Sequence, residues 1–163
     1  MREPFFLGDI NSAPLSSKPL LARAQAKRSM VPNLELAMAS VPALLAAYTS
    51  LVEFFEATSL TAQERQIVFL AASRENDCSY CSAWHAVLTQ RSGLSSDDVD
   101  LLQQGTAIPD PKLDVLRRFY VALIRQRGNV TDSDLTDFLA LGWTREQALE
   151  VIIGIGAKTL KAC

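Results

Sequence analysis

The sequence carries no large excess of charge of either sign. Its 163 residues hold 16 lysines and arginines against 18 acids, a net charge of −2. That balance lacks the basic footprint a nucleic-acid partner requires. No long hydrophobic run is present either. The longest apolar stretch, 148–157, is broken by Glu150, Gly154 and Gly156, and it falls short of the roughly 20 residues a membrane-spanning helix needs. The opening Met-Arg-Glu-Pro-Phe-Phe-Leu has no apolar h-region and no small-residue cleavage site, so no secretory signal is expected and the expected location is cytoplasmic. Three cysteines are too few for an extracellular disulfide framework. Alternating apolar and polar runs are missing, as are Asn-Gly and Asp-Gly hairpin turns, so no strand is expected. Repeats and low-complexity linkers are also absent.

What remains reads as helices throughout. Apolar residues make up 48% of the chain, enough for one all-α domain, with residues 1–13 as an irregular arm. Ser17 with Pro19 predicts a helix to about Met30, broken by Val31-Pro32-Asn33, and a short helix follows to Ala39. Ser40 with Pro42 predicts the next, to about Thr58. Thr61-Ala-Gln-Glu64 is a capping box whose helix runs to about Glu75. After Asn76-Asp77 a helix is expected from Cys78 or Ser79 to Ser92, with Gly93 just past its end. Ser95 to Asp98 caps one ending at Gly105. Asp110-Pro111 opens another, with Leu113, Leu116, Phe119, Tyr120 and Leu123 at helical spacing, and Gly128 closes it. Thr131 caps a short helix to Leu141. Thr144-Arg-Glu-Gln147 is a second capping box, and its helix runs to Lys161-Ala-Cys163. No polar tail or terminating signal follows it.

Chemistry concentrates in Glu75-Asn-Asp-Cys78-Ser-Tyr-Cys81-Ser-Ala-Trp-His85, which holds two of the three cysteines and the single histidine. The pattern is C-x-x-C-x-x-x-H. On a helix beginning at Cys78 or Ser79, Cys81 and His85 are four apart, on one face and one turn from each other. Cys78 and Cys81 meet at the first turn, where a disulfide can close. The unpaired amides and the positive end of the helix dipole there favour thiolate over thiol. A redox role follows: one thiolate attacks an electrophilic sulfur or oxygen, the other cysteine resolves the intermediate, and His85 moves the proton. Structural zinc is the weaker reading, since such sites take four ligands from two separated pairs and no second pair exists. Buried cysteines without chemistry would not explain the sole histidine falling in register with both.

The segment Glu64-Arg-Gln-Ile-Val-Phe-Leu-Ala-Ala-Ser-Arg-Glu-Asn-Asp-Cys-Ser-Tyr-Cys-Ser-Ala-Trp-His85 resembles the AhpD-like family, also called the carboxymuconolactone decarboxylase-like family. Val31-Pro32-Asn33 and the Pro42 helix look like the region that precedes the motif in that family. The resemblance extends over about 30–163. It implies an AhpD-like all-α bundle that assembles as a homo-oligomer (dimer, trimer or hexamer). It also implies reduction of hydroperoxides without metal or organic cofactor, the disulfide being reopened by an unidentified dithiol reductant. Carried over, Cys81 is the peroxidatic thiol, Cys78 the resolving thiol and His85 the proton relay.

One position departs from the pattern. The peroxidase members place a glutamate twelve residues before the first cysteine, and here that residue is Gln66. A carboxamide can orient His85 or a water but cannot act as a carboxylate base. Glu75, about 180° round the helix from Gln66, is the candidate substitute base; its bland reading is a solvated carboxylate near a helix end. Ser73 shares a face with Gln66. Tyr80, Trp84 and Leu88 read as packing residues, with Trp84 a candidate wall for an apolar hydroperoxide. Cys163 reads as an incidental thiol. The alternatives to a thiol peroxidase or disulfide reductase are a γ-lactone decarboxylase, which has no need of paired thiols, and a non-catalytic redox-sensing module.

Overall fold

The computed structural model describes residues 8–160; the first seven residues of the expected irregular arm, and Cys163, lie outside the described residues. Nine helices and no strand occur among them: α1 Lys18–Arg28, α2 Asn33–Met38, α3 Pro42–Glu56, α4 Ala62–Glu75, α5 Ser79–Arg91, α6 Ser96–Gln104, α7 Pro111–Arg125, α8 Asp132–Ala140 and α9 Arg145–Thr159. Residues 8–17 form turns before α1.

Most helix ends obey the local signals. Thr61 and Thr144 form reciprocal capping boxes with Glu64 and Gln147, and Asp110 accepts hydrogen bonds from the amides of Lys112 and Leu113. Each satisfies donors that the first turn would otherwise leave unpaired. Two serines behave differently from expectation. Ser40 does not cap α3; Val41 holds that position, and the Ser40 hydroxyl donates to the Ala37 carbonyl. Ser17 stands at the cap of α1 but makes no capping bond. It is fully buried and donates to the Ala39 carbonyl at 2.8 Å, tying α1 to the end of α2. In both cases a nearby carbonyl outcompetes the helix amide for a short hydroxyl.

Helix α4 lies at the centre. Ile67 through Ser73 are seven consecutive buried residues, and a helix buried all round must be covered on every side. It packs against α5, α7, α9, α6 and α3. Val68, Phe69, Ala71 and Ala72 enter one core with Phe55 of α3, Leu116 and Phe119 of α7, Phe138 of α8 and Val151 of α9. Ile67 and Leu70 enter a second with Val99 and Leu102 of α6. Leu21, Met38 and Leu45 make a third between α1, α2 and α3. No helix among the described residues is long and apolar enough to cross a membrane.

Candidate functional site

The cysteine motif is delivered by the turn between α4 and α5. Asp77 adopts a left-handed conformation, φ +50°. Its amide donates to the Arg74 carbonyl, and the Cys78 amide reaches back to the Ser73 carbonyl, both at 2.9 Å. This pair of bonds is a Schellman motif, with aspartate in the place glycine usually takes. The turn leaves no spare residue, so Cys78 becomes the N-cap of α5 and Cys81 falls in its first turn. The Asn76 side-chain Nδ2 donates to the Lys158 carbonyl at 3.3 Å, anchoring the turn to α9. Both cysteines are buried.

Cys81 and His85 lie one turn apart on α5 and line the same cavity of about 490 Å³. The imidazole is 7% exposed and is gripped from two sides. Its Nδ1 lies 3.0 Å from Gln66 Oε1 on α4. Its Nε2 is in hydrogen-bond contact with Nζ of Lys158 on α9. Lys158 is itself 3% exposed, and its ammonium sits 4.4 Å from the centre of the Phe69 ring. That ring also packs at 5.0 Å on the imidazole. The aromatic face partly offsets the cost of burying the cation.

The opposite wall comes from the first three helices. Glu35 of α2 is buried and ion-paired with Arg28 of α1. Burial pushes its carboxyl above the usual value, against the pull of that guanidinium. Tyr48 of α3 faces the same space. Burial, reinforced by the Glu35 carboxylate, pushes its phenol up and keeps it a donor. Tyr80, Trp84 and Leu88, on successive turns of α5, also line this cavity instead of entering the core.

Of the residues singled out from sequence, Cys81, His85 and Gln66 converge here, with Cys78 at the head of the same helix. Glu75 does not join them. Its carboxylate accepts hydrogen bonds from Arg125 at 2.7 and 3.0 Å and from Arg74 at 2.9 Å, so it turns toward α7. It lines a different depression with Arg117 and Arg125. Ser73 is buried, and its hydroxyl donates to the Phe69 carbonyl one turn back, at 2.7 Å. Among the described residues no cluster of three or more histidine, cysteine, aspartate or glutamate side chains could hold a metal ion.

The sequence reading missed Lys158, Tyr48 and the Arg28–Glu35 pair. For Lys158 a signal existed. Ala148, Val151, Gly154 and Lys158 form the buried stripe of α9, so a lysine stood in an apolar register. Nothing local marked the other three.

Residues 39–114 match the model of the carboxymuconolactone decarboxylase family. That stretch contains the whole cysteine–histidine motif, so the resemblance read from the motif holds. The fold is similar to an AhpD-core, uncharacterized peroxidase-related protein from Ralstonia eutropha JMP134, at 20% identity and TM-score 0.81, covering 97% of this chain and 85% of that one. A peroxidase-related protein from Silicibacter sp. TM1040 is similar at 19% identity and TM-score 0.80, over 96% and 84%. A cysteine-to-alanine variant of the debrominase Bmp8, bound to 2,3,4-tribromopyrrole, is similar at 15% identity and TM-score 0.78, over 98% and 86%. No curated protein matches the sequence.

Proposed function

Because residues 39–114 carry the pattern of the carboxymuconolactone decarboxylase family, we propose that this protein is a thiol-dependent hydroperoxidase or disulfide reductase working through Cys78, Cys81 and His85. The observation that carries the reading is the burial of Cys81 and His85 one helical turn apart on the wall of one cavity, with Cys78 heading the same helix. The cycle begins with Cys78 and Cys81 both reduced. The Cys81 thiolate attacks the outer oxygen of a hydroperoxide. The O–O bond breaks, an S–O bond forms, and the alkoxide leaves as alcohol with the proton the thiol gave up. Sulfur is oxidised to sulfenic acid and the peroxide reduced. The Cys78 thiolate then displaces hydroxide from Cys81, closing the disulfide and releasing water once a proton is supplied. An external dithiol reopens it. On this reading the protein is a cytoplasmic homo-oligomer and needs neither metal nor organic cofactor.

Peroxide consumption with a dithiol reductant tests the reading. Cys81→Ser should lower turnover on the order of a thousandfold or more. Cys78→Ser should consume one equivalent of peroxide per chain and stall. Wild-type protein that consumes no peroxide with any dithiol overturns it, and reversible oxidation without turnover would then mark a redox-sensing module. The family's name supports a second reading, decarboxylation of a γ-lactone; that activity should survive replacement of both cysteines.

A further inference from the structure

We propose that Lys158 is a positioning residue for His85: its ammonium donates to Nε2 while Gln66 Oε1 accepts from Nδ1–H, so the imidazole is held neutral in the Nδ1–H form. An ammonium has three donors and no acceptor, so the nitrogen it faces must offer a lone pair. The amide oxygen 3.0 Å from Nδ1 needs a proton there. The two contacts, on opposite ring nitrogens, thus demand the same tautomer. They also account for Gln66. With a cation already on one side of the ring, a neutral amide suffices to hold the other, and no carboxylate is needed to complete the set.

The arrangement differs from an imidazole that simply accepts a thiol proton. A proton reaches Nε2 only if the ammonium withdraws or shares its own. On the proposed peroxidase reaction, on which this consequence rests, the Lys158–His85 pair is the reservoir. An N–H bond of the pair breaks as the alkoxide O–H forms, and the Cys81 thiol proton refills the pair.

The other described groups around the cavity do not reverse the field at the ring. Glu35 and Glu56 are ion-paired with Arg28 and Lys27 respectively. Tyr48 remains a protonated phenol, and Arg91 adds a further positive charge. Within α5, Cys81, Tyr80 and Arg91 are the titratable neighbours on the same wall. Helix α6, also packed on α5, puts none of its aspartates on the cavity wall.

His85 is the single histidine of the chain. A long-range ¹H–¹⁵N correlation spectrum of ¹⁵N-labelled protein without a histidine tag therefore reports on this ring alone. Wild type should show one protonated nitrogen, Nδ1, at pH 7, with a titration midpoint about one pH unit or more below that of a free imidazole. Lys158→Met should raise the midpoint by about one pH unit. Lys158→Gln, which keeps a neutral donor, should raise it likewise while preserving the Nδ1–H form. A wild-type ring protonated on Nε2, or a midpoint that neither variant moves, overturns the assignment. If neither variant folds, the wild-type spectrum decides alone. The spectrum needs no substrate: the expected signature without peroxide turnover sinks the peroxidase reading and leaves this assignment standing, and turnover with the wrong signature does the reverse.

Discussion

The Glu75 carboxylate is held in a bidentate pair by Arg125, with Arg74 on one of the same oxygens. Arg125 is largely exposed, so water screens the pair and its contribution stays below about 1 kcal/mol. Glu75→Gln should therefore lower stability by no more than about 1 kcal/mol in urea denaturation and leave peroxide turnover unchanged. A large fall in turnover without loss of stability would return Glu75 to the proton relay. His85 presents the opposite case: both ring nitrogens are occupied by groups from other helices, so changes at Gln66 or Lys158 should register at the ring before they register in stability.

At the scale of elements, the site depends on three helices meeting closely. Helix α9 brings Lys158 to His85 because it packs against α3 and α4, and Gly154 lets it come that near. A Cβ at residue 154 would lie 2.9 Å from both Phe55 Cζ and Val68 Cγ1, inside ordinary contact distance. Gly154→Ala should cost roughly 1–3 kcal/mol by overpacking, seen as a lowered denaturation midpoint with unchanged slope. An unchanged midpoint would mean that the helices separate without strain. The turn from α4 to α5 contributes the other half of the geometry: a Schellman motif ends one helix and leads straight into the next, fixing the direction in which Cys78 and Cys81 leave the core.

Over the whole molecule, Glu35 couples the packing of α1 and α2 to pH. Burial raises its folded-state carboxyl above the ordinary 4.5, so the folded protein holds this proton more tightly than the unfolded chain does. The stabilisation is complete below the ordinary carboxylate value and is lost as pH rises through the raised folded value. Glu35→Gln removes that loss. The difference in melting temperature, variant minus wild type, should be more positive at pH 7 than at pH 4. A difference independent of pH would show that Arg28 fully compensates the buried charge.

Short-range signals along the chain specify the helices and the spacing C-x-x-C-x-x-x-H. Caps, glycine stops and the helical period act over three or four residues, so Thr61 with Glu64, Asp110 with Pro111 and Thr144 with Gln147 announce their own ends. The same period placed Cys81 and His85 on one face. What surrounds that face depends on contacts between helices distant in the chain. Lys158 is 73 residues from His85 and Gln66 is 19 away, and the Arg28–Glu35 pair and Tyr48 approach from helices that no local signal orients. Glu75, three residues from Cys78, turns away because α7 offers a guanidinium on the other side. Which side chain meets which across helices is set by how apolar faces pack, a long-range balance that short-range signals do not encode.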